Sequence, residues 1–424
     1  IGGGQGHRMD RLTGAVVLGA ALVIVGCRER AEAVQSEAQL RDMVRGMMPS
    51  VARAAHLAFK RQPLVLRRSR NQVRDYVIHK FDQDLPPREL AGLEAALHRF
   101  GLIPDSMQLR STMIDLYTEQ IAGYYDPDSN ALYIPADIEE STLRVVVSHE
   151  LVHALQDQYV SLDSIITQQG HNDRRSAAQA ILEGQATIVQ LSVLMPEQLP
   201  DTYPIGWFWR QRAVMARLQT TQMERFARAP LWLREGLIFP YLGGADFVVW
   251  FSRNRVGKSV LTTMPTSTEQ ILHPDRFAAG DEPTELAFGP APDTLRFEDG
   301  LGEFETRLLL QQHLGDESQA ATLATGWDGD RYQVLGPDGE ALVWYSVWDD
   351  AAAADRFAAG LERAWQKRRA DPQGLPDGRG RSARRSEIKR IDIDGRPGVR
   401  LVDAPPNWKG WKQLPQVHVR AKTD

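Results

Sequence analysis

Cysteine is nearly absent from this chain: a single one, Cys27, stands in 424 residues. No intrachain disulfide can form, so the fold has only its core to hold it. A block of one charge is missing as well. Fifty Lys and Arg face 55 Asp and Glu, and the net charge of −5 is spread along the chain. That lacks the basic footprint a nucleic-acid partner needs, and no nucleic acid is expected. No internal repeat is visible, which argues against solenoid and propeller arrays. What remains is an ordinary balance of 42% hydrophobic and 25% charged residues, the composition of a globular chain. At this length two or three domains are expected rather than one core.

One apolar run stands out near the start. Residues 1–8 (IGGGQGHR) read as sequence upstream of a start at Met9. Arg11 is followed by LTGAVVLGAALVIVG, from Leu12 to Gly26. This is short of the roughly 20 apolar residues that a spanning helix needs, and its small residues suit the h-region of a secretory signal. The run ends Ile24-Val25-Gly26-Cys27, which resembles the bacterial lipobox. That resemblance implies cleavage before Cys27, lipid attachment there, and export to the bacterial cell envelope with the membrane as a partner through the anchor. A plain signal peptide or an N-terminal anchor helix is the alternative.

Further along, residues 28–48 read as a polar tether and a first helix, and 50–110 as helical. Asn71 to Phe81 has helical spacing. Pro86-Pro87 opens a helix that Gly101 stops. In QIAGYYDPDSNALYIP, two β-prone runs flank Asp126-Pro127-Asp128-Ser129-Asn130, a turn by composition, which predicts a hairpin. Asp137, with Glu140 three residues on, is the pattern of a capping box opening the next helix. That helix is apolar on most sides and should be buried. A polar segment, 161–175, leads to a second helix, SAAQAILEGQATIVQLSVL. The aromatic stretch 205–260 reads as further packed helices. Pro and Gly density across 280–302 marks a linker. Beyond it come helices at 303–314 and 317–325, strands near 331–335 and 341–348, a helix at 350–368, a basic loop, and a hairpin at Asp394-Gly395. Trp344, Trp348 and Trp365 read as core.

The chemistry lies in the buried helix, in His149-Glu150-Leu151-Val152-His153. On a helix, residues i and i+4 are about 40° apart in azimuth and about 6 Å apart along the axis. Two imidazoles so spaced can converge on one tetrahedral Zn²⁺. Glu150, offset by about 100°, cannot share the ion comfortably but can reach a water on it. A catalytic zinc needs a third protein ligand and one open position. Glu183, in Leu182-Glu183-Gly184-Gln185-Ala186, sits on the following helix, where an antiparallel return brings it back to the histidines. Gly184 permits close helix approach. Glu235, Asp157, His171 and His273 are rival ligands. Asp157, one turn beyond His153, is a candidate orienting partner for a ligating imidazole; its alternative is a solvent-facing carboxylate. Tyr241 and His273 are candidate donors to a developing oxyanion; their alternatives are a packed aromatic and a helix-terminal histidine.

With HELVH on one helix and Glu-Gly-x-Ala on the next, the sequence resembles the gluzincin zinc metallopeptidases. SHELVHALQDQY, GYYDP, FPYLGG and STEQILHP resemble exported bacterial members of that group. The gap from His153 to Glu183 is longer than in the best-known gluzincins. The resemblance implies an α+β, mainly helical fold with a zincin-like core. Within the hairpin, Leu132-Tyr133-Ile134 is the expected edge strand for an extended peptide. The resemblance also implies a zinc-dependent peptidase acting on peptide or protein substrates. The expected layout is a signal with lipobox at 1–27, a tether and helical region at 28–110, the catalytic domain at 111–280 and a small α+β domain at 281–424. Two other classes remain open at this point: a non-catalytic envelope lipoprotein on a peptidase-like fold, and a structural zinc site closed by four protein ligands.

Overall fold

The computed structural model describes residues 37–162, 171–198, 202–215, 217, 223–370 and 384–421. The expected signal, Cys27 and most of the tether lie outside them. The fold is α+β and mainly helical. Among the described residues, no helix is long and apolar enough to cross a membrane.

Helix α1 (Glu37–Ala55) buries Leu40, Val44, Met47 and Val51 at helical spacing. The region expected to be helical throughout then yields a strand, β1 (Leu64–Arg68). Three helices follow. In α2 (Arg70–Asp84), Ser69 and Gln72 form a capping box. Helix α3 (Pro87–Phe100) starts on proline and stops at Gly101, whose φ is +72°. Helix α4 (Leu109–Gln120) leads to the predicted hairpin of β2 (Tyr124–Asp126) and β3 (Ala131–Pro135).

The hairpin is not placed as expected. The sheet order is β1-β3-β2, with β1 parallel and β2 antiparallel to β3. Leu132-Tyr133-Ile134 is therefore the central strand, with both hydrogen-bonding edges occupied, and cannot receive a peptide. Every residue of β3 is buried, as an apolar strand covered on both faces must be.

Helix α5 (Glu140–Gln156) has Glu139 as its N-cap, with no side-chain cap bond. The capping box expected from Asp137 does not form, because that carboxylate pairs with Arg70 Nε at 2.8 Å. As predicted, α5 is buried nearly all round. Then come α6 (Asn172–Leu194), the short α7 (Trp207–Arg210) and α8 (Glu224–Arg228), the long α9 (Leu231–Asn254), and α10 (Thr268–Leu272) with α11 (Pro274–Ala279). Hydrogen bonds pair Val145 with Gln190 and Gln156 with Leu182, so α5 and α6 run antiparallel.

The expected linker at 280–302 instead holds two strands, β4 (Leu286–Phe288) and β5 (Leu295–Asp299). After α12 (Gly302–Leu314) and α13 (Glu317–Ala324) come β6 (Trp327–Leu335), β7 (Ala341–Trp348), α14 (Ala351–Ala370), β8 (Arg385–Ile393), β9 (Arg396–Ala404) and β10 (Val417–Val419). The larger sheet has the order β5-β6-β7-β9-β8, and β4 pairs with β10. Asp394 and Gly395, at φ +51° and +83°, make the predicted β8–β9 turn. Trp344, Trp348 and Trp365 are core residues, and the indoles of Trp344 and Trp365 donate to the buried Asp330 and Asp403. One hydrophobic cluster joins α2–α4 and α9 to α12–α14 and the large sheet, so packing runs across both 110/111 and 280/281.

Helices α6 and α9 meet backbone to backbone. A Cβ on Gly184 would lie 2.2 Å from the Gly244 carbonyl carbon, and one on Gly244 would lie 1.8 Å from the Ala180 oxygen. Neither helix can carry a side chain there without moving apart. Gly244→Ala is therefore expected to destabilise the protein by about 3 kcal/mol or more, as overpacking against backbone does; urea unfolding of parent and variant measures it. Gly236→Ala, in the same helix with open space at its Cβ position, serves as the control and should not destabilise.

Candidate metal centre

The antiparallel pairing of α5 and α6 brings three donors together. His149 Nε2 lies 3.1 Å from Glu183 Oε2, His153 Nε2 lies 3.5 Å from the same oxygen, and the two Nε2 atoms are 3.1 Å apart. All three side chains are at most 1% exposed. An ion about 2.0–2.1 Å from each of three tetrahedral ligands sets those ligand atoms roughly 3.3 Å apart, which these separations match. Among the described residues, this is the group of three or more His, Cys, Asp or Glu able to hold a metal.

The hydrogen bonds fix which ring nitrogen faces inward. Gln156 Nε2 donates to the Leu182 carbonyl at 2.9 Å and to Gln185 Oε1 at 3.0 Å. Its Oε1 must then accept, and it accepts from His153 Nδ1 at 2.9 Å. With Nδ1 protonated, the Nε2 lone pair of neutral His153 points at Glu183 and His149. A lone pair facing a carboxylate in a buried site is repulsive unless a cation, proton or metal, lies between them.

The electrostatics agree. Burial works to raise the Glu183 carboxyl, yet the His153 charge and hydrogen bonds from both imidazoles prevail and hold it at about 2. Burial works to lower His153, and Glu183 instead lifts it to about 9. His149 is pushed down, chiefly by burial. Burial pushes Glu150 up to about 8, against the pull of His153, with Glu183 adding to the rise.

Glu150 is fully buried beside the triad. Its Oε2 accepts from the Tyr125 amide at 2.8 Å, while Oε1 has no hydrogen-bond partner. Tyr241, on α9, also reaches the site. Its ring lies 5.9 Å from the His149 ring at an interplanar angle of 27°. Burial and the facing charges of Glu183 and Glu150 raise its phenol well above the usual range, so it stays a proton donor.

The remaining candidates lie elsewhere. Asp157 does not orient a ligating imidazole. Its carboxylate accepts from Tyr125 Oη at 2.9 Å and Arg61 Nη2 at 3.0 Å, and Gln156, one residue earlier, holds His153 in its place. His273 is not at the site. It sits at the α10–α11 junction, with Nε2 3.0 Å from Glu303 Oε1 and 2.9 Å from Arg307, so its ring is committed to that ion pair. Neither is Glu235, half-buried near Arg212 and Arg234, nor the exposed His171, which lines a polar cleft of about 900 Å³, part of the metal group. Sequence reasoning missed Gln156 and Tyr125. For the first, a place three residues after His153 on the same helix was a signal. Tyr125 acts through its backbone, which leaves no trace in residue type.

A family model described as a domain of unknown function (DUF8575) matches residues 293–409. No curated protein and no solved structure matches the chain. The matched segment spans β5 to β9 with α12–α14 between them, and the His149–His153–Glu183 group lies outside it.

Gln156→Leu should lower zinc affinity about 10- to 100-fold by releasing the His153 ring, and Glu183→Ala should lower it further. Competition with a chromophoric chelator measures both. Parental affinity in Glu183→Ala would remove this carboxylate from the metal group.

Proposed function

We propose that the chain is a zinc-dependent peptidase. The observation that carries this reading is Glu150: a buried carboxylate with one oxygen pinned and the other free, directly beside three converging metal donors. A purely structural zinc site has no use for such a group, and would be closed by four protein ligands; the group here has three. Bound zinc would polarise a peptide carbonyl and bring the pKa of water towards about 7. The free Oε1 of Glu150 takes the proton from the attacking water and returns it to the leaving amine. His149, His153 and Glu183 hold the ion, and Gln156 keeps His153 in the ligating tautomer. The Tyr241 phenol, held protonated against Glu183, would have to turn from that carboxylate to meet the charge developing on the substrate oxygen.

The likeness of HELVH and the later Glu-Gly-x-Ala to gluzincins supports the same chemistry on peptide or protein substrates. The lipobox-like Ile24-Val25-Gly26-Cys27 supports export and lipid anchoring at Cys27 in a bacterial envelope. One observation favours a second reading: all four site residues are at most 1% exposed. An enclosed site suits an envelope lipoprotein that keeps a peptidase-like fold for binding.

Glu150→Gln decides between them. It should keep one zinc per chain and lose at least about 100-fold in kcat on a casein or peptide-library substrate. Equal cleavage by the variant overturns the role of Glu150. A zinc-loaded parent that cleaves nothing, with a chelator-treated sample as control, leaves the binding protein as the reading.

A further inference from the structure

Tyr125 touches α5 twice. Its backbone amide donates to Glu150 Oε2 at 2.8 Å, and its phenol donates to Asp157 Oδ2 at 2.9 Å. Glu150 and Asp157 are seven residues apart on one helix, which is about 10 Å along the axis. The tyrosine therefore lies along the helix as a strut, backbone at one end and hydroxyl at the other. We propose that Asp157 is a positioning residue for Glu150, acting through Tyr125; this rests on Glu150 being the general base.

The far end of the strut is braced from outside the helix. Arg61 spans two acceptors, with Nη2 on Asp157 Oδ2 at 3.0 Å and Nε on Asn130 Oδ1 at 2.9 Å. Asn130 closes the β2–β3 turn with φ at +50° and sits 3.1 Å from the same Tyr125 hydroxyl. The loop that carries Arg61 is itself tied down, since the amides of Lys60 and Arg61 both donate to Gln158 Oε1, at 2.6 and 3.0 Å. Asp157 is thus the point where the hairpin, the Arg61 loop and the C-terminal end of α5 meet. A β2 strand free to slide would carry the Tyr125 amide with it. Glu150 would then have two unpaired oxygens in the interior and no fixed direction for the one that moves the proton. Catalytic geometry tolerates little of this: misplacement by about 1 Å can cost on the order of 100-fold in rate.

The test uses the zinc-loaded full chain in five forms: parent, Asp157→Ala, Asp157→Asn, Tyr125→Phe and Glu150→Gln. Asparagine can still accept from the Tyr125 hydroxyl; alanine cannot. Tyr125→Phe removes the same bond while leaving the Asp157–Arg61 pair intact, which covers the case that Asp157→Ala folds poorly. Asp157→Ala and Tyr125→Phe should lose about 10- to 100-fold in kcat at nearly constant KM, with zinc content and melting temperature close to parent. Asp157→Asn should recover most of that loss. An independent reading comes from amide spectra of protein labelled with ¹⁵N only at tyrosine, where the Tyr125 signal is the one that vanishes in Tyr125→Phe. That signal should lie downfield in the parent, as for an amide bonded to a carboxylate. It should move in Glu150→Gln and Asp157→Ala and stay in Asp157→Asn. A Tyr125 signal and kcat both unmoved by Asp157→Ala overturn the proposal, as does a loss of kcat that merely tracks lost zinc or lost stability. Failure of the parent to cleave any substrate overturns the peptidase reading instead, and the amide signal then decides alone whether Asp157 governs the partner of Glu150.

Discussion

Helix α5 runs through the interior with Ser148, His149, Glu150, His153 and Gln156 all at most 1% exposed. A buried polar group left without a partner costs about 1–3 kcal/mol. Five such groups on little more than two turns call for partners, and most of them find one. Ser148 returns to the Val145 carbonyl, Glu150 takes the Tyr125 amide, and His153 takes Gln156, which in turn binds the Leu182 carbonyl. His149, His153 and Glu183 face one another, while Glu150 Oε1, His149 Nδ1 and Glu183 Oε1 keep no hydrogen-bond partner. These bonds set the positions of β2 and α6 against α5 to within a hydrogen bond.

Such bonding reaches well beyond the three helices. Glu183 faces His149 because α6 keeps its register, and the glycine contact with α9 fixes the register at the level of Gly184. The first turn of α6 is held separately. Thr268, on α10, donates through its amide and hydroxyl to Asp173, and its hydroxyl also accepts from the Phe304 amide of α12. The start of α12 is anchored by Asp330 of β6, which accepts from the Leu301 and Gly302 amides and from the indoles of Trp327 and Trp344. A line of buried hydrogen bonds therefore runs from the C-terminal sheet, inside the segment matched by the family of unknown function, to the helix that carries Glu183. The C-terminal half acts as a foundation for α6 and is not merely appended to it.

Much of this was legible in the sequence because local physics writes it there. The i, i+4 spacing of His149 and His153, the proline and glycine bounding α3, and the Asp394-Gly395 turn each depend on a few adjacent residues. Glu183 was legible because a carboxylate and a glycine together inside an apolar helix demand both a partner and a close neighbour. The failures share a different cause. Leu64–Arg68 became a strand, and Leu132–Ile134 a central one, because a parallel partner lies more than 60 residues away. Asp157 and His273 were misassigned because helical spacing gives the face a residue occupies and not which charge waits opposite it. Arg61 claimed the first and Glu303 the second. Periodicity predicts surfaces; it does not predict which surfaces meet.

Charge counting ties the enclosure to the proposed chemistry. With both imidazoles neutral, Glu150 and Glu183 would bring two negative charges into a buried space. Each is costly alone, and the two repel strongly at low local dielectric. Two protons can answer that deficit, one on His153 and one on Glu150, and this matches the upward shifts of both groups. A single divalent cation answers it at once and leaves Glu150 ionised, which is the state a general base must have. The burial that raises Glu150, together with the Glu183 charge that raises His153, thus also favours a cation among the three donors.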